Sequence, residues 1–138
     1  MGRSAFVSVV LLLALLLAGN SVYGQHFEFV RTGAEHTLGV SEATIDGEAL
    51  VENDKIGVFN ADGNCYGATV LEGGDIGFPA YGQEGEDPGF EEGEQILFRF
   101  RDADPGDELE AQDDQGGINF EAGGFTFGIT LTAQHQAM

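Results

Sequence analysis

Short runs of alternating apolar and polar residues, each closed by a glycine-bearing turn, restrict this chain to β-structure. Within residues 25–138 no stretch longer than about ten residues keeps the 3.6-residue apolar period of a helix. The clearest run is 125–132, whose alternation puts Phe125, Phe127, Ile129 and Leu131 on one face and the threonines and Gly128 on the other. Residues 95–101 come next, with Ile96, Phe98 and Phe100 directed at a core. Phe27 and Phe29 repeat the pattern, and 37–45, 55–60, 65–71, 75–81 and a weaker 117–121 are further strand candidates. Asp46-Gly47, Asp62-Gly63, Gly73-Gly74, Asp87-Pro88-Gly89, Asp104-Pro105-Gly106 and Gly116-Gly117 supply the turns between them. This spacing predicts an all-β fold: a single antiparallel β-sandwich of about seven or eight short strands. A small barrel is the alternative architecture.

The first 24 residues have a different character. Arg3 precedes an apolar stretch, residues 5–18, interrupted only by Ser8, and Ser21-Val22-Tyr23-Gly24 places small residues before Gln25. That is the pattern of a cleaved secretory leader, too short for the roughly 20 apolar residues of a membrane span. The expected mature protein is therefore one domain, residues 25–138, exported to the extracellular space, periplasm or cell surface. It is strongly acidic. Without Arg3, four basic residues (Arg31, Lys55, Arg99 and Arg101) face all 24 acidic ones, a net charge of −20. Such a surface repels phosphates and anionic head groups, which excludes nucleic acid and anionic membrane as partners. It also suits a salty environment, since at about 1 M salt the Debye length falls to about 3 Å.

The one cysteine, Cys65, has no internal partner for a disulfide and sits in an apolar run, where it reads as a small buried hydrophobe. It belongs to the most distinctive local pattern, the expected hairpin of residues 54–68. There Gly57, Gly67 and Ala68 would let another segment, or a ligand, pack closely over the strands.

This hairpin resembles a module of secreted and surface proteins of Bacteroidota and related bacteria. The matching residues are Ile56-Gly57-Val58-Phe59, Gly63 and Cys65-Tyr66-Gly67, then Ala80-Tyr81-Gly82, Gly89-Phe90, Gly93-Glu94 and Phe98-Arg99. The likeness covers about residues 45–105. It implies a non-catalytic β-sandwich working outside the cell, and the role of such modules is itself poorly defined.

No G-x-S-x-G elbow, H-E-x-x-H or paired C-x-x-C is present, so the chain does not read as an enzyme. His26, His36 and His135 are too far apart for a strand or helix metal pair and read as surface residues. Two acidic loops, 84–92 and 102–108, carry enough oxygens to suggest a structural Ca²⁺, with Asp102, Asp104 and Asp107 as its ligands. Pro105 and Gly106 break the resemblance of the second loop to an EF-hand.

The function expected is a secreted binding or adhesion module recognising a glycan or another surface component. Tyr66, Tyr81 and Phe90 are the aromatics that could stack on it. The alternative is self-assembly, as a subunit of an extracellular fibre or surface layer built by strand exchange, for which residues 26–30 offer an alternating apolar segment.

Overall fold

The computed structural model describes residues 27–73 and 76–135, so the leader and His26 lie outside the described residues. Among the described residues the fold has nine strands and no helix. They are β1 (Glu35–Ile45), β2 (Glu48–Ala49), β3 (Lys55–Phe59), β4 (Cys65–Val70), β5 (Ile76–Tyr81), β6 (Gln95–Arg101), β7 (Glu108–Asp113), β8 (Ile118–Asn119) and β9 (Phe125–Ala133). The hydrogen bonds run as one sheet in the order β2-β1-β9-β7-β6-β3-β4, with β5 on the free side of β1 and β8 on β6. This sheet curves into a half-barrel.

The all-β expectation holds, but the sheet is mixed rather than antiparallel throughout. The first and last long strands, β1 and β9, pair in parallel from Thr37↔Phe125 to Ile45↔Ala133. Every other pairing between these strands is antiparallel. The turn between β1 and β2 shows how local chemistry sets the connections. Asp46 and Gly47 both take positive φ, 53° and 85°, as a two-residue turn matched to strand twist requires.

The inner face is filled by alternating side chains, among them Leu38, Ile56, Val58, Ile96, Phe98, Phe100, Ile129 and Leu131. Alternation fails at one place, with consequences. Between Leu38 and Val40 on β1 the partner strand advances from Thr126 to Ile129, so β9 carries one extra residue. Gly128, at φ 71°, absorbs that bulge. A compensating irregularity follows at Ser41 in β1. The bulge flips the strand's phase: Ile129 and Leu131 are buried, whereas Phe125 and Phe127 are exposed. The single apolar face expected for 125–131 is therefore corrected to two half-faces.

A second, smaller cluster lies on the other side of the sheet. Residues 27–31 form no strand, yet Phe27 and Phe29 are buried. Phe27 meets Phe59 edge-on (5.2 Å between ring centroids), and Phe29 stacks on Tyr81 (5.7 Å). Cys65 and Ala68 complete the group. It thus joins β3, β4 and β5 from outside, clasping β4 and β5, which lie side by side without a hydrogen-bonded ladder. What packs over Gly57 is this segment: a Cβ there would stand 2.8 Å from Phe27 Cδ2. Gly67 is required for the same reason, because its Cβ would fall 2.6 Å from the Pro79 carbonyl oxygen of β5.

Two buried polar side chains tie loops to this frame. Asp54 accepts the Val51 N–H (2.8 Å) and the Ala103 N–H (2.9 Å). His36, expected at the surface, is 3% exposed. Its Nδ1 lies 3.1 Å from both the amide nitrogen and the carbonyl oxygen of Glu121, and its Nε2 lies 2.8 Å from Thr126 Oγ1. A histidine with both ring nitrogens engaged can be buried at little cost.

Candidate functional site

On a domain of this charge, the largest exposed apolar feature among the described residues is the pair Phe125 and Phe127, 66% and 62% exposed. Their rings are near-parallel, 18° apart, with centroids separated by 5.8 Å. The bulge at Gly128 turns them outward, and β1 makes room for them. A Cβ on Gly39 would stand 2.5 Å from Phe127 Cδ1, so this ring lies against bare backbone. Gly39 is paired with Gly77 of β5 and Thr37 with Pro79, which keeps the neighbouring surface low and weakly polar.

The turn at residues 113–117 fixes the other flank. Asp113 Oδ1 accepts the N–H groups of Gln115 (2.8 Å) and Gly117 (3.1 Å). Gln115 Nε2 then donates to the Phe127 carbonyl (3.2 Å), and Asp114 Oδ1 accepts the Thr130 N–H (2.9 Å). Behind this turn, across β3, β6 and β7, lies a half-open trough of about 360 Å³. Phe59, Leu97, Arg99, Glu110 and Gln112 line it, and residues 113, 116 and 117 form its wall. Arg99 is held 4.1 Å above the Phe59 ring and makes no ion pair among the described residues. A larger hollow of about 530 Å³ between β1, β2 and the end of β4 has neither a cation nor an aromatic ring in its lining.

Of the three aromatics expected to stack on a ligand, Tyr66 and Phe90 touch each other, and Tyr81 lies apart from them in the second cluster. Phe90 is 1% exposed, stacked on Phe120 (5.6 Å) with Tyr66 edge-on against it (5.0 Å). Tyr81 is buried beneath Phe29. Tyr66 is half-buried, and that burial raises its hydroxyl pKa, with Glu94 adding to the effect. These rings hold the core and the clasp together, because Phe90 and Tyr81 are needed to fill them. Cys65 is partly buried, as expected of a small hydrophobe. Burial pushes its thiol up to about 11, and Sγ contacts the Gly67 carbonyl at 3.4 Å.

Of the acidic loop residues, Asp102 Oδ1 accepts the Asp104 N–H (3.1 Å). Asp102 and Asp107 each place an oxygen 3.7 Å from His135 Nε2. Asp46 Oδ2 sits 2.6 Å from His135 Nδ1, and its Oδ1 accepts the His135 N–H (3.0 Å). Asp102 and Asp107 thus gather around an imidazole, while Asp104 makes no contact with it. Among the described residues no group of three or more His, Cys, Asp or Glu is disposed to hold a metal ion.

This contact is a pH-dependent tie between the end of β9, the β1–β2 turn and the 102–107 loop. The hydrogen bond to Asp46 raises the His135 pKa above 6.5, and the bond from His135 lowers that of Asp46 below 3.8. The histidine contribution is complete below its unfolded value and is lost as pH rises through the folded one. The aspartate contribution is complete above its unfolded value and is lost as pH falls through the folded one. The pair therefore acts fully between pH 3.8 and 6.5. His135→Gln is expected to lower the melting temperature most near the middle of that window and to leave it unchanged at alkaline pH. An equal loss at all pH values would show that packing, not charge, holds the tie.

Comparison with family models, curated proteins and solved structures finds no match to this chain.

Proposed function

We propose that this chain is a secreted, non-catalytic binding module that recognises an extracellular glycan through Phe125 and Phe127. The exposure of two adjacent near-parallel rings on a surface otherwise dominated by carboxylates carries this reading. Aromatic faces left in water cost free energy, and they regain it by stacking on the C–H face of a sugar. The leader-like N-terminus and the resemblance over residues 45–105 support action outside the cell. The test is depletion of the mature protein by insoluble cellulose, chitin, mannan and xylan, with affinity electrophoresis on soluble glycans. Each of Phe125→Ala and Phe127→Ala is expected to weaken binding about tenfold or more, the scale of a hot-spot contact of about 1.4 kcal/mol. Melting temperature should not change, because both rings are exposed. A double variant that binds as wild type does, or a wild type that binds no glycan, overturns the proposal.

The second reading, assembly by exchange of the N-terminal segment, is favoured by one observation. Phe27 and Phe29 hold the β4–β5 seam from a segment outside the sheet ladder, and a neighbour's copy could occupy the same place. Size-exclusion chromatography across protein concentration tests it. A monomer at every concentration rules it out.

A further inference from the structure

We infer that the ligand is an uncharged polysaccharide chain that continues from the Phe125–Phe127 pair across the 113–117 turn into the trough beside Arg99. This rests on the glycan reading above and extends it. The two surfaces share a wall: Gln115 of that turn is bonded to the Phe127 carbonyl, while Gly116 and Gly117 border the trough. They also share the outer side of the sheet. Leu97 and Arg99 alternate with the buried Ile96, Phe98 and Phe100, and Gln112 follows the buried Ala111.

The trough has the chemistry of a sugar subsite. Leu97 offers exposed apolar area for a ring face. Arg99 and Gln112 offer donors, and Gln112 and Glu110 offer acceptors, for hydroxyl groups. Arg99 is positioned by the Phe59 ring and not consumed by a carboxylate, so its N–H groups remain available.

Charge selects the class of chain. Glu110, Asp113 and Asp114 stand around the trough and turn, on a domain with −20 net charge once the leader is removed. A uronate or sulfated chain would be repelled there, whereas a neutral chain meets no such barrier. A continuous surface of two subsites also predicts dependence on chain length, since the second contact becomes intramolecular once the first is made.

The experiment is calorimetric titration of the mature protein with neutral cello-, chito- and manno-oligosaccharides, from disaccharide to hexasaccharide, beside oligogalacturonate at low salt. Expected for the preferred series is at least a tenfold rise in affinity from disaccharide to hexasaccharide. Gln112→Ala and Leu97→Asn should each abolish most of that rise. Phe125→Ala/Phe127→Ala should remove binding at every length, and oligogalacturonate should not bind. Equal affinity for short and long oligosaccharides, still dependent on the two phenylalanines, would overturn the extension and leave the glycan reading standing. Binding of oligogalacturonate through the same rings would overturn the charge assignment. Binding of no saccharide of any length overturns both.

Discussion

Phe27→Ala is expected to destabilise the domain by about 3–5 kcal/mol, the usual cost of emptying a buried phenylalanine site. Phe27 is fully buried, although it lies outside every strand. Its ring meets Phe59 edge-on and occupies the space that the absent side chain of Gly57 leaves. Removing it opens a cavity that backbone cannot close, because Gly57 has nothing to extend into it. The loss also weakens the clasp across β4 and β5, which have no ladder between them. Measured by urea denaturation, the change would consume a large share of the 5–15 kcal/mol typical of a domain. Phe127→Ala, in the same measurement, should stay within about 0.5 kcal/mol of wild type. Unchanged stability of Phe27→Ala would mean that the N-terminal segment is not seated on its own sheet.

That contrast between two phenylalanines shows how much of the fold the residues announce. Strong alternation carried β6, where Ile96, Phe98 and Phe100 face inward as the pattern requires. The Asn60 turn was equally legible: its Oδ1 takes the N–H groups of Asp62 and Asn64, as an Asx turn does. β7 was not, because Glu-Leu-Glu-Ala-Gln-Asp has little strand propensity and falls outside every expected strand. It becomes a strand by pairing with β6 from Phe98↔Ala111 to Arg101↔Glu108. The parallel pairing of β1 with β9 was equally hidden. It joins strands more than 80 residues apart, and no local signal specifies which distant strand a neighbour will be.

The burial of individual aromatics is hidden in the sequence for a related reason. A tyrosine or phenylalanine in sequence carries no mark of which side of a sheet it faces. Gly57 and Gly67 leave room for either another segment or a ligand, and in the fold they admit Phe27 and the Pro79 backbone. The alternation that Phe125 and Phe127 share with Ile129 and Leu131 directs all four to one face. The one available signal against this was Gly128, since a glycine inside a strand often marks a bulge, and a bulge reverses the faces beyond it. His36 was misassigned likewise: its burial depends on Glu121 and Thr126, some 85 and 90 residues distant.

Gly89→Ala is expected to cost at least about 3 kcal/mol, at or beyond the upper end of overpacking effects. A Cβ at Gly89 would stand 2.3 Å from the Gly82 carbonyl carbon and 2.5 Å from Gln83 N. Both are backbone atoms, so no rotamer change relieves the contact, and the 82–90 loop has to open. Opening strains the bonds that close it: Gln83 N–H to the Phe90 carbonyl (2.9 Å) and Phe90 N–H to the Tyr81 carbonyl (3.0 Å). It also draws Phe90 out of its stack on Phe120. The Gly89-Phe90 pair of the resemblance thus has a physical reason: the glycine permits the approach that the buried ring needs. Gly47→Ala supplies the comparison. Its φ of 85° disfavours a side chain, but nothing lies within 4 Å of the added methyl, so about 1–2 kcal/mol is expected there. Urea midpoints should therefore rank wild type above Gly47→Ala and Gly47→Ala above Gly89→Ala. The reverse order would show that the 82–90 loop does not close against Gly89, and with it that Phe90 is not anchored in the core as described.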